Sequence, residues 1–175
     1  MTINCKGELL SMDTPRVMGI LNHTPDSFYE GSRVTEKTLL QRAETMLAHG
    51  ADFIDVGGYS TRPNAPEVSQ TEELSRVVPV VRSLVQHFPE IRISVDTFRS
   101  EVARQSLLEG ACIINDISAG LLDEQMLATV AQFQVPYIAM HLVGTPQTMQ
   151  QHTDYKDIIS DMRYYFSERK AKALQ

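Results

Sequence analysis

The chain has 175 residues, of which 42% are hydrophobic and 22% are charged. These fractions are close to the averages of soluble globular domains, so they argue against an intrinsically disordered segment, and the length suits one domain over residues 1–175. The formal net charge of -6 argues against nucleic acid or an anionic membrane as a partner, because both favour a basic surface.

The cysteines and the apolar runs narrow the choice of compartment. Cys5 and Cys112 lack the spacing of a zinc site, and two cysteines are too few for a disulfide scaffold. The first ten residues do not form a basic segment followed by an apolar one, and no apolar run approaches the roughly 18 residues of a membrane span. We therefore expect a cytoplasmic protein without a membrane anchor.

Short apolar runs alternate with helix-period segments along the chain. Before the first run, Lys6-Gly7 is flanked by Ile3-Asn4-Cys5 and Glu8-Leu9-Leu10, which predicts a small hairpin. The five runs that follow are predicted strands at 17–21, 53–56, 91–95, 112–114 and 137–140. Such alternation is typical of consecutive βα units around a parallel sheet.

Helices are predicted between these strands and after the last one. The clearest has apolar residues at helical spacing, namely Leu74, Val77, Val78, Val81, Leu84 and Val85. Ser69 and Glu72 form its predicted capping box, and Gly50 and Gly110 lie where C-cap glycines belong. The other predicted helices cover 39–47, 102–108, 126–133 and 158–170, the last with Tyr164, Tyr165 and Phe166 on its buried face.

A short pattern occurs twice. Gly50-Ala51-Asp52-Phe53-Ile54-Asp55 is echoed by Gly110-Ala111-Cys112-Ile113-Ile114-Asn115, two βα units later. A barrel built from equivalent quarters would show such a repeat, although two unrelated strands, each preceded by a C-cap glycine, would show it equally.

The number of strands sets the predicted architecture. A closed (β/α)8 barrel needs eight strands and about 250 residues. We predict an α/β fold in which this chain supplies about five βα units of such a barrel plus the hairpin, and stops before the sixth strand. Five strands alone would expose edges and an apolar interior, so we do not expect an independently stable domain. A doubly wound open sheet is the alternative, but no nucleotide-binding glycine fingerprint follows the first strand.

Every predicted strand ends in a hydrogen-bonding side chain, and barrel enzymes build their sites at these ends. The set is Asn22, Asp55, Asp96, Asn115 with Asp116, and His141. Each could instead cap a helix. Together they are rich in acceptors and amides, which suits a heterocycle with several N–H donors.

Two loops after the first two strands carry hydroxyl, amide and guanidinium groups. They cover 22–28 and 57–63, and the planar fork of Arg62 suits a pyrophosphate or a carboxylate. No Ser/His/Asp arrangement or Cys/His pair stands out, so covalent catalysis loses support. The residues alone therefore indicate a barrel enzyme that acts on a phosphorylated small molecule.

Five ordered segments resemble the dihydropteroate synthase family over nearly the whole chain. They are Met18-Gly19-Ile20-Leu21-Asn22-His23-Thr24-Pro25-Asp26-Ser27-Phe28, then 50–63 with Ser60-Thr61-Arg62-Pro63, then Ser94-Val95-Asp96-Thr97, then Ile113-Ile114-Asn115-Asp116, and finally Met140-His141 with Gly144-Thr145-Pro146. The resemblance implies a transferase of folate biosynthesis and a target of sulfonamides. It would join a hydroxymethyl dihydropterin pyrophosphate to 4-aminobenzoate and release pyrophosphate, with Mg²⁺ as cofactor and a homodimer as the full-length assembly.

The resemblance also implies a role for each matching residue. Asp96 and Asn115 would hold the pterin ring, and Met140 would contact it. Asn22 would approach the metal, as a neutral oxygen ligand can. The remaining residues are in the two loops: Thr61 and Arg62 would meet the pyrophosphate, with Arg62 in the catalytic role, while Phe28 and Pro63 would help form the aminobenzoate pocket.

Two features depart from the family pattern. Glu30-Gly31-Ser32 stands where the family usually has an Asp-Gly-Gly-like stretch, and the family's C-terminal substrate residues have no matching positions here. We therefore expect the 175-residue polypeptide by itself to be inactive. A pterin-binding methyltransferase domain and a noncatalytic pterin-binding fragment are the alternatives; the two loops favour the synthase over the methyltransferase.

Overall fold

A computed structural model describes residues 1–22, 36–60 and 67–175, with the backbone alone for Asn22. The predicted hairpin is confirmed, because β1 (Thr2–Cys5) pairs antiparallel with β2 (Glu8–Ser11). Lys6 and Gly7 join them at φ angles of 54° and 81°. Two successive residues in this left-handed region are typical of the tight turn that matches the twist of a hairpin.

The predicted strands and helices are all present, with bounds shifted by a few residues. The strands are β3 (Met18–Asn22), β4 (Phe53–Gly57), β5 (Ile93–Asp96), β6 (Ile113–Asp116) and β7 (Tyr137–Ala139). The helices are α1 (Glu36–Ala48), α2 (Gln70–His87), α3 (Ser100–Leu108), α4 (Met126–Phe133) and α5 (Ile158–Ala173), with a 3₁₀ turn at Met149–Gln151. The hydroxyl of Ser69 accepts from the backbone N–H of Glu72, so Ser69 is the predicted N-cap of α2.

The five strands lie in chain order in one parallel sheet, β3-β4-β5-β6-β7. A doubly wound sheet would reverse its strand order at a switch point, and this sheet has no reversal among its described strands. The open-sheet alternative is therefore wrong, and the prediction of successive βα units of a (β/α)8 barrel is confirmed.

Alternation along each strand separates two faces of the sheet. One face packs against the helices in the main core, through Leu21, Ile54, Val56, Ile93, Val95 and Ile114. The opposite face, which lines the barrel interior, carries Phe53, Asp55, Ser94, Asp96, Ile113 and Asn115, matched across neighbouring strands by the parallel register. The interior is thus apolar near the start of the strands and polar near their ends.

The hairpin closes the amino-terminal end of this interior. Cys5 is buried in a second apolar cluster with Phe53, Cys112 and Ile113. Ile3, Leu10 and Met18 pack on the same cluster. Access to the interior is therefore from the opposite end, where the strands finish.

Apolar side chains near the two sheet edges are exposed, as expected for an arc of a barrel. Ile20 on β3 is 61% exposed and Ile138 on β7 is 40% exposed. These exposures confirm the predicted uncovered interior. The predicted buried face of α5 is wrong: Tyr164 is 67% exposed, Tyr165 and Phe166 are half-buried, and no described residue of α5 is fully buried. No helix in the described ranges is long and apolar enough to cross a bilayer.

Candidate substrate site at the carboxyl ends of the strands

The register of the sheet brings three of the polar strand-end residues together. Asp96 lies opposite Gly57 on one side and opposite Asn115 on the other. The Asn115 amide Nδ2 donates to Oδ2 of Asp55 at 3.3 Å, across the intervening strand. Asp55 and Asn115 are the last residues of the two copies of the repeated pattern, so the two copies end in side chains that are hydrogen-bonded to each other. We call Asp55, Asp96 and Asn115 the acceptor cluster.

The acceptor cluster and its neighbour Ser94 contain buried polar atoms without partners. Asp55 is 5% exposed and Ser94 is fully buried, and within the described ranges neither Asp55 Oδ1 nor Ser94 Oγ has a hydrogen-bond partner. Buried polar groups in folded proteins are nearly always paired, and an unmade hydrogen bond costs about 1 to 3 kcal/mol. Both atoms are closed off from the interior, so the members of the cluster that a ligand with N–H groups can reach are Asp96 and Asn115, which are partly exposed.

Burial and like charge both act on Asp96. Burial, followed by repulsion from Asp55, Glu73 and Asp116, raises the pKa of Asp96 to about 7. Burial also raises the pKa of Asp55. Asp96 therefore changes its charge close to neutral pH, and a ligand that donates hydrogen bonds to the carboxylate would favour the charged form.

Asp116 follows Asn115 directly, but it lies on the other face of the sheet and has a structural role. Its Oδ1 accepts from the backbone N–H and the hydroxyl of Ser118, at 2.7 and 2.8 Å. Its Oδ2 accepts from the N–H of Gly120 at 2.8 Å and from the hydroxyl of Tyr137 at 2.6 Å. With four donors already placed on this fully buried carboxylate, Asp116 holds the β6–α4 connection and is not part of the acceptor cluster.

This assignment gives the first testable prediction. In Asp116→Asn one acceptor oxygen becomes an amide that cannot accept from Gly120 or Tyr137, so we expect a loss of about 1 to 3 kcal/mol in the free energy of unfolding. Urea unfolding of a barrel completed with the missing βα units measures it, because residues 1–175 alone are not expected to be stable. Asp154→Asn, at an exposed position, is the matched control and should leave stability within about 0.5 kcal/mol. Equal stability of both variants would contradict the structural role.

The structure places some of the predicted site residues and leaves others undescribed. Asn22 ends β3 opposite Gly57, so it lies at the same carboxyl-terminal end of the sheet as Asp96. Met140 follows β7, is 38% exposed, and its carbonyl accepts from the Tyr165 hydroxyl at 3.2 Å. Four predicted residues lie outside the described ranges, namely Phe28, Thr61, Arg62 and Pro63.

His141 contacts aromatic side chains near the carboxyl-terminal end of the sheet. Its ring packs edge-on against Tyr165, with centroids 4.7 Å apart and an interplanar angle of 78°. Tyr165 in turn donates to the Ser118 carbonyl at 3.0 Å, so α5 is tied to the loops after β6 and β7. These contacts give His141 a packing role in the described structure.

Sequence reasoning missed one group of residues beside the site. Glu73, in the first turn of α2, is fully buried and accepts from the Thr97 hydroxyl at 2.6 Å and from the Arg99 guanidinium. A signal was present, because Glu73 lies four residues before Val77 and so on the apolar face of the helix. A carboxylate on a buried face indicates a paired charge.

Metal ligands are not evident in the described structure. Within residues 1–22, 36–60 and 67–175 no three His, Cys, Asp or Glu side chains are close enough to form a metal site. The Asn22 side chain is outside what the structure describes, so the predicted magnesium contact stays a prediction.

The family described as pterin binding enzyme matches residues 18–175, which include the whole acceptor cluster. The chain belongs to the pterin-binding enzyme family. Among its relatives, the dihydropteroate synthase of Synechocystis sp. is 51% identical over 152 residues, covering 86% of this chain and 52% of that protein. The chain therefore spans about half the length of that relative.

Solved structures agree with the sequence relatives. A Yersinia pestis dihydropteroate synthase in complex with a sulfonamide drug superposes with a TM-score of 0.91 at 41% identity, covering 99% of this chain and 63% of that one. A Xanthomonas albilineans dihydropteroate synthase with 4-aminobenzoic acid gives 0.87 at 38% identity, covering 98% and 60%. The predicted likeness to dihydropteroate synthases is confirmed.

Proposed function

We propose that this chain is the pterin-binding part of a dihydropteroate synthase, which joins a hydroxymethyl dihydropterin pyrophosphate to 4-aminobenzoate. The observation that supports this most directly is the acceptor cluster. In it, Asp96 and Asn115 are partly exposed at the carboxyl ends of neighbouring strands, and the buried Asp55 accepts from the Asn115 amide.

The chemistry of the cluster suits a pterin ring. A pterin carries an amino group and ring N–H groups as donors and a carbonyl as acceptor. The carboxylate of Asp96 would accept from the donors, each charge-assisted bond contributing about 1.5 to 3 kcal/mol. The Asn115 amide can donate and accept, so it would pair with either kind of ring atom. Asp55 would orient the Asn115 amide, whose Nδ2 donates to Asp55 Oδ2 at 3.3 Å.

The proposed reaction needs no nucleophile from the protein. As the C–O bond to pyrophosphate breaks, positive charge grows on the pterin methylene carbon, the amine of 4-aminobenzoate forms the C–N bond to that carbon, and its nitrogen then releases one proton to the solvent. The carboxylates of Asp55 and Asp96 would stabilise the developing cation through the ring. Thr61 and Arg62 would hold the leaving pyrophosphate, while Phe28 and Pro63 would line the aminobenzoate pocket and Met140 would contact the pterin.

Further parts of the proposal concern the metal, the assembly and the compartment. Mg²⁺, when bound near Asn22, would offset the charge of the leaving pyrophosphate. A homodimer is proposed from the resemblance. A cytoplasmic location is proposed from the two cysteines, Cys5 and Cys112, which are both free in the described structure.

Turnover of a completed barrel tests the proposal. We would join residues 1–175 to the C-terminal βα units of the Yersinia pestis enzyme, whose structure fixes the junction, and call this protein the chimera. We expect the chimera to form dihydropteroate from the two substrates with Mg²⁺, and a sulfonamide to inhibit it in competition with 4-aminobenzoate. The 175-residue polypeptide should show no turnover.

Two results would contradict the proposal. A folded chimera that binds neither substrate would remove the pterin assignment, and a chimera that binds the pterin without turnover would favour the noncatalytic alternative. As a control, the unmodified Yersinia pestis enzyme is assayed beside it.

A further inference from the structure

A buried ion pair lies beside the acceptor cluster, outside the barrel interior. Glu73 on α2 is fully buried, and its carboxylate is paired with the guanidinium of Arg99, which follows β5. The second oxygen accepts from the Thr97 hydroxyl at 2.6 Å, and Thr97 is next to Asp96. A buried carboxylate is costly unless it is paired and hydrogen-bonded, and this one is both.

The guanidinium of Arg99 has two further contacts. Its Nη2 donates to the carbonyl of Val68 at 2.7 Å. Its central carbon lies 5.4 Å from the ring centroid of Tyr59 and 5.0 Å from that of Phe98, within the range of cation–π attraction. Tyr59 and Phe98 also pack edge-on, 5.2 Å apart.

These contacts join the two sides of one connection. Tyr59 is two residues after β4, and Val68 is two residues before α2. One guanidinium therefore fixes the start and the end of the β4–α2 connection against each other, and Glu73 and Thr97 fix that guanidinium beside Asp96. Only Arg, with a planar fork and a stackable face, can make the ion pair, the carbonyl contact and the ring contacts together.

We propose that Glu73 and Arg99 are positioning residues for the second substrate: they set the β4–α2 connection relative to the bound pterin. This rests on the proposed function, in which Thr61, Arg62 and Pro63 of that connection meet the pyrophosphate and 4-aminobenzoate. Because Asp96 and Asn115 are held by the sheet itself, loosening the connection should affect the second substrate and turnover more than pterin binding.

Arg99→Lys in the chimera is the sharpest test. Lysine keeps a positive charge for Glu73 but loses the fork and the stacking face. Since a misplacement of about 1 Å can cost about 100-fold in rate, we expect kcat/KM for 4-aminobenzoate to fall about 10- to 100-fold. The Kd for pterin pyrophosphate should stay within about twofold. Glu73→Gln, which keeps an acceptor for Thr97 but loses the ion pair, should also lower kcat/KM for 4-aminobenzoate.

Arg82→Lys is the matched control. Arg82 also forms a two-pronged pair, with Glu109 at 2.9 and 2.7 Å, but it joins α2 to the end of α3, away from the β4–α2 connection. Arg82→Lys should leave kcat/KM for 4-aminobenzoate and the Kd for pterin pyrophosphate unchanged. An equal loss of pterin and aminobenzoate affinity in Arg99→Lys, or no change in either, would overturn the positioning role.

A second readout does not depend on the proposed function. In hydrogen exchange, the segments that contain Tyr59 and Val68 should exchange faster in Arg99→Lys and not in Arg82→Lys. If the chimera has no synthase activity but these segments exchange faster in Arg99→Lys, the proposed function is refuted. The conclusion that Arg99 holds the β4–α2 connection in place is then still supported. Unchanged exchange would overturn the positioning itself.

Discussion

Asp96→Asn should weaken the binding of pterin pyrophosphate to the chimera about 10- to 100-fold. The carboxylate is replaced by an amide that presents one acceptor oxygen and an N–H group where the ring presents donors. Losing a charge-assisted hydrogen bond costs about 1.5 to 3 kcal/mol, and each 1.4 kcal/mol is tenfold in affinity. Isothermal titration calorimetry with the pterin ligand measures the change.

Asp52→Asn is the control for this substitution. Asp52 accepts from the Val17 N–H at 2.9 Å and from Arg16 at 2.8 Å, at the entrance of the strands and away from the acceptor cluster. We expect its pterin affinity to stay within about twofold of the unchanged chimera. Equal effects of the two substitutions would contradict the assignment of Asp96.

The second large effect concerns how stability changes with pH. The pKa of Asp96 is about 7 in the folded chain, against 3.8 for the ordinary carboxyl. The folded state therefore holds a proton that the unfolded state has lost between about pH 4 and 7. Stability from this group is fully present below pH 4 and is lost as the pH rises through 7, because a partly buried carboxylate then stands beside the like charges of Asp55, Glu73 and Asp116.

Asp96→Asn removes this titration. Relative to the unchanged chimera, the variant should gain stability from pH 4 to about pH 7 and no more above it, by up to about 4 kcal/mol, since each pKa unit corresponds to about 1.4 kcal/mol. Urea unfolding of the chimera and of its Asp96→Asn variant at pH 4, 6 and 8 gives the difference. A difference that is constant with pH would show that Asp96 does not carry the raised pKa.

The combination of these two results would be informative in itself. A substitution that weakens ligand binding while it stabilises the protein is expected where a charged group is kept for function at a cost in stability. Asp116→Asn should behave in the opposite way, because all four donors around Asp116 come from the protein.

The elements and their order could be predicted because local pattern determined them. The short apolar runs of the strands, the helical spacing from Leu74 to Val85 and the glycines at 50 and 110 specify a βα series. Gly50 and Gly110 indeed have φ angles of 95° and 102°, where residues with a side chain are strained. The exposure of Tyr164 was not predictable, because it depends on what packs against α5.

The site could be predicted only in part. Asp96 and Asn115 follow from their places at strand ends, and parallel register brings such ends together. Strand-end position alone did not separate Asn115 from Asp116, because adjacent residues face opposite sides of a sheet and serve different roles. The pairing of Glu73 with Arg99 joins residues from two different βα units, so no local pattern could predict the partner.

The most direct test of the account is a calorimetric titration of the chimera with pterin pyrophosphate and Mg²⁺, without 4-aminobenzoate, beside a variant with both Asp96→Asn and Asn115→Ala. We predict saturable binding of one pterin per chimera chain and none detectable in the folded double variant. Equal binding by both proteins would contradict the claim that the acceptor cluster is the pterin site.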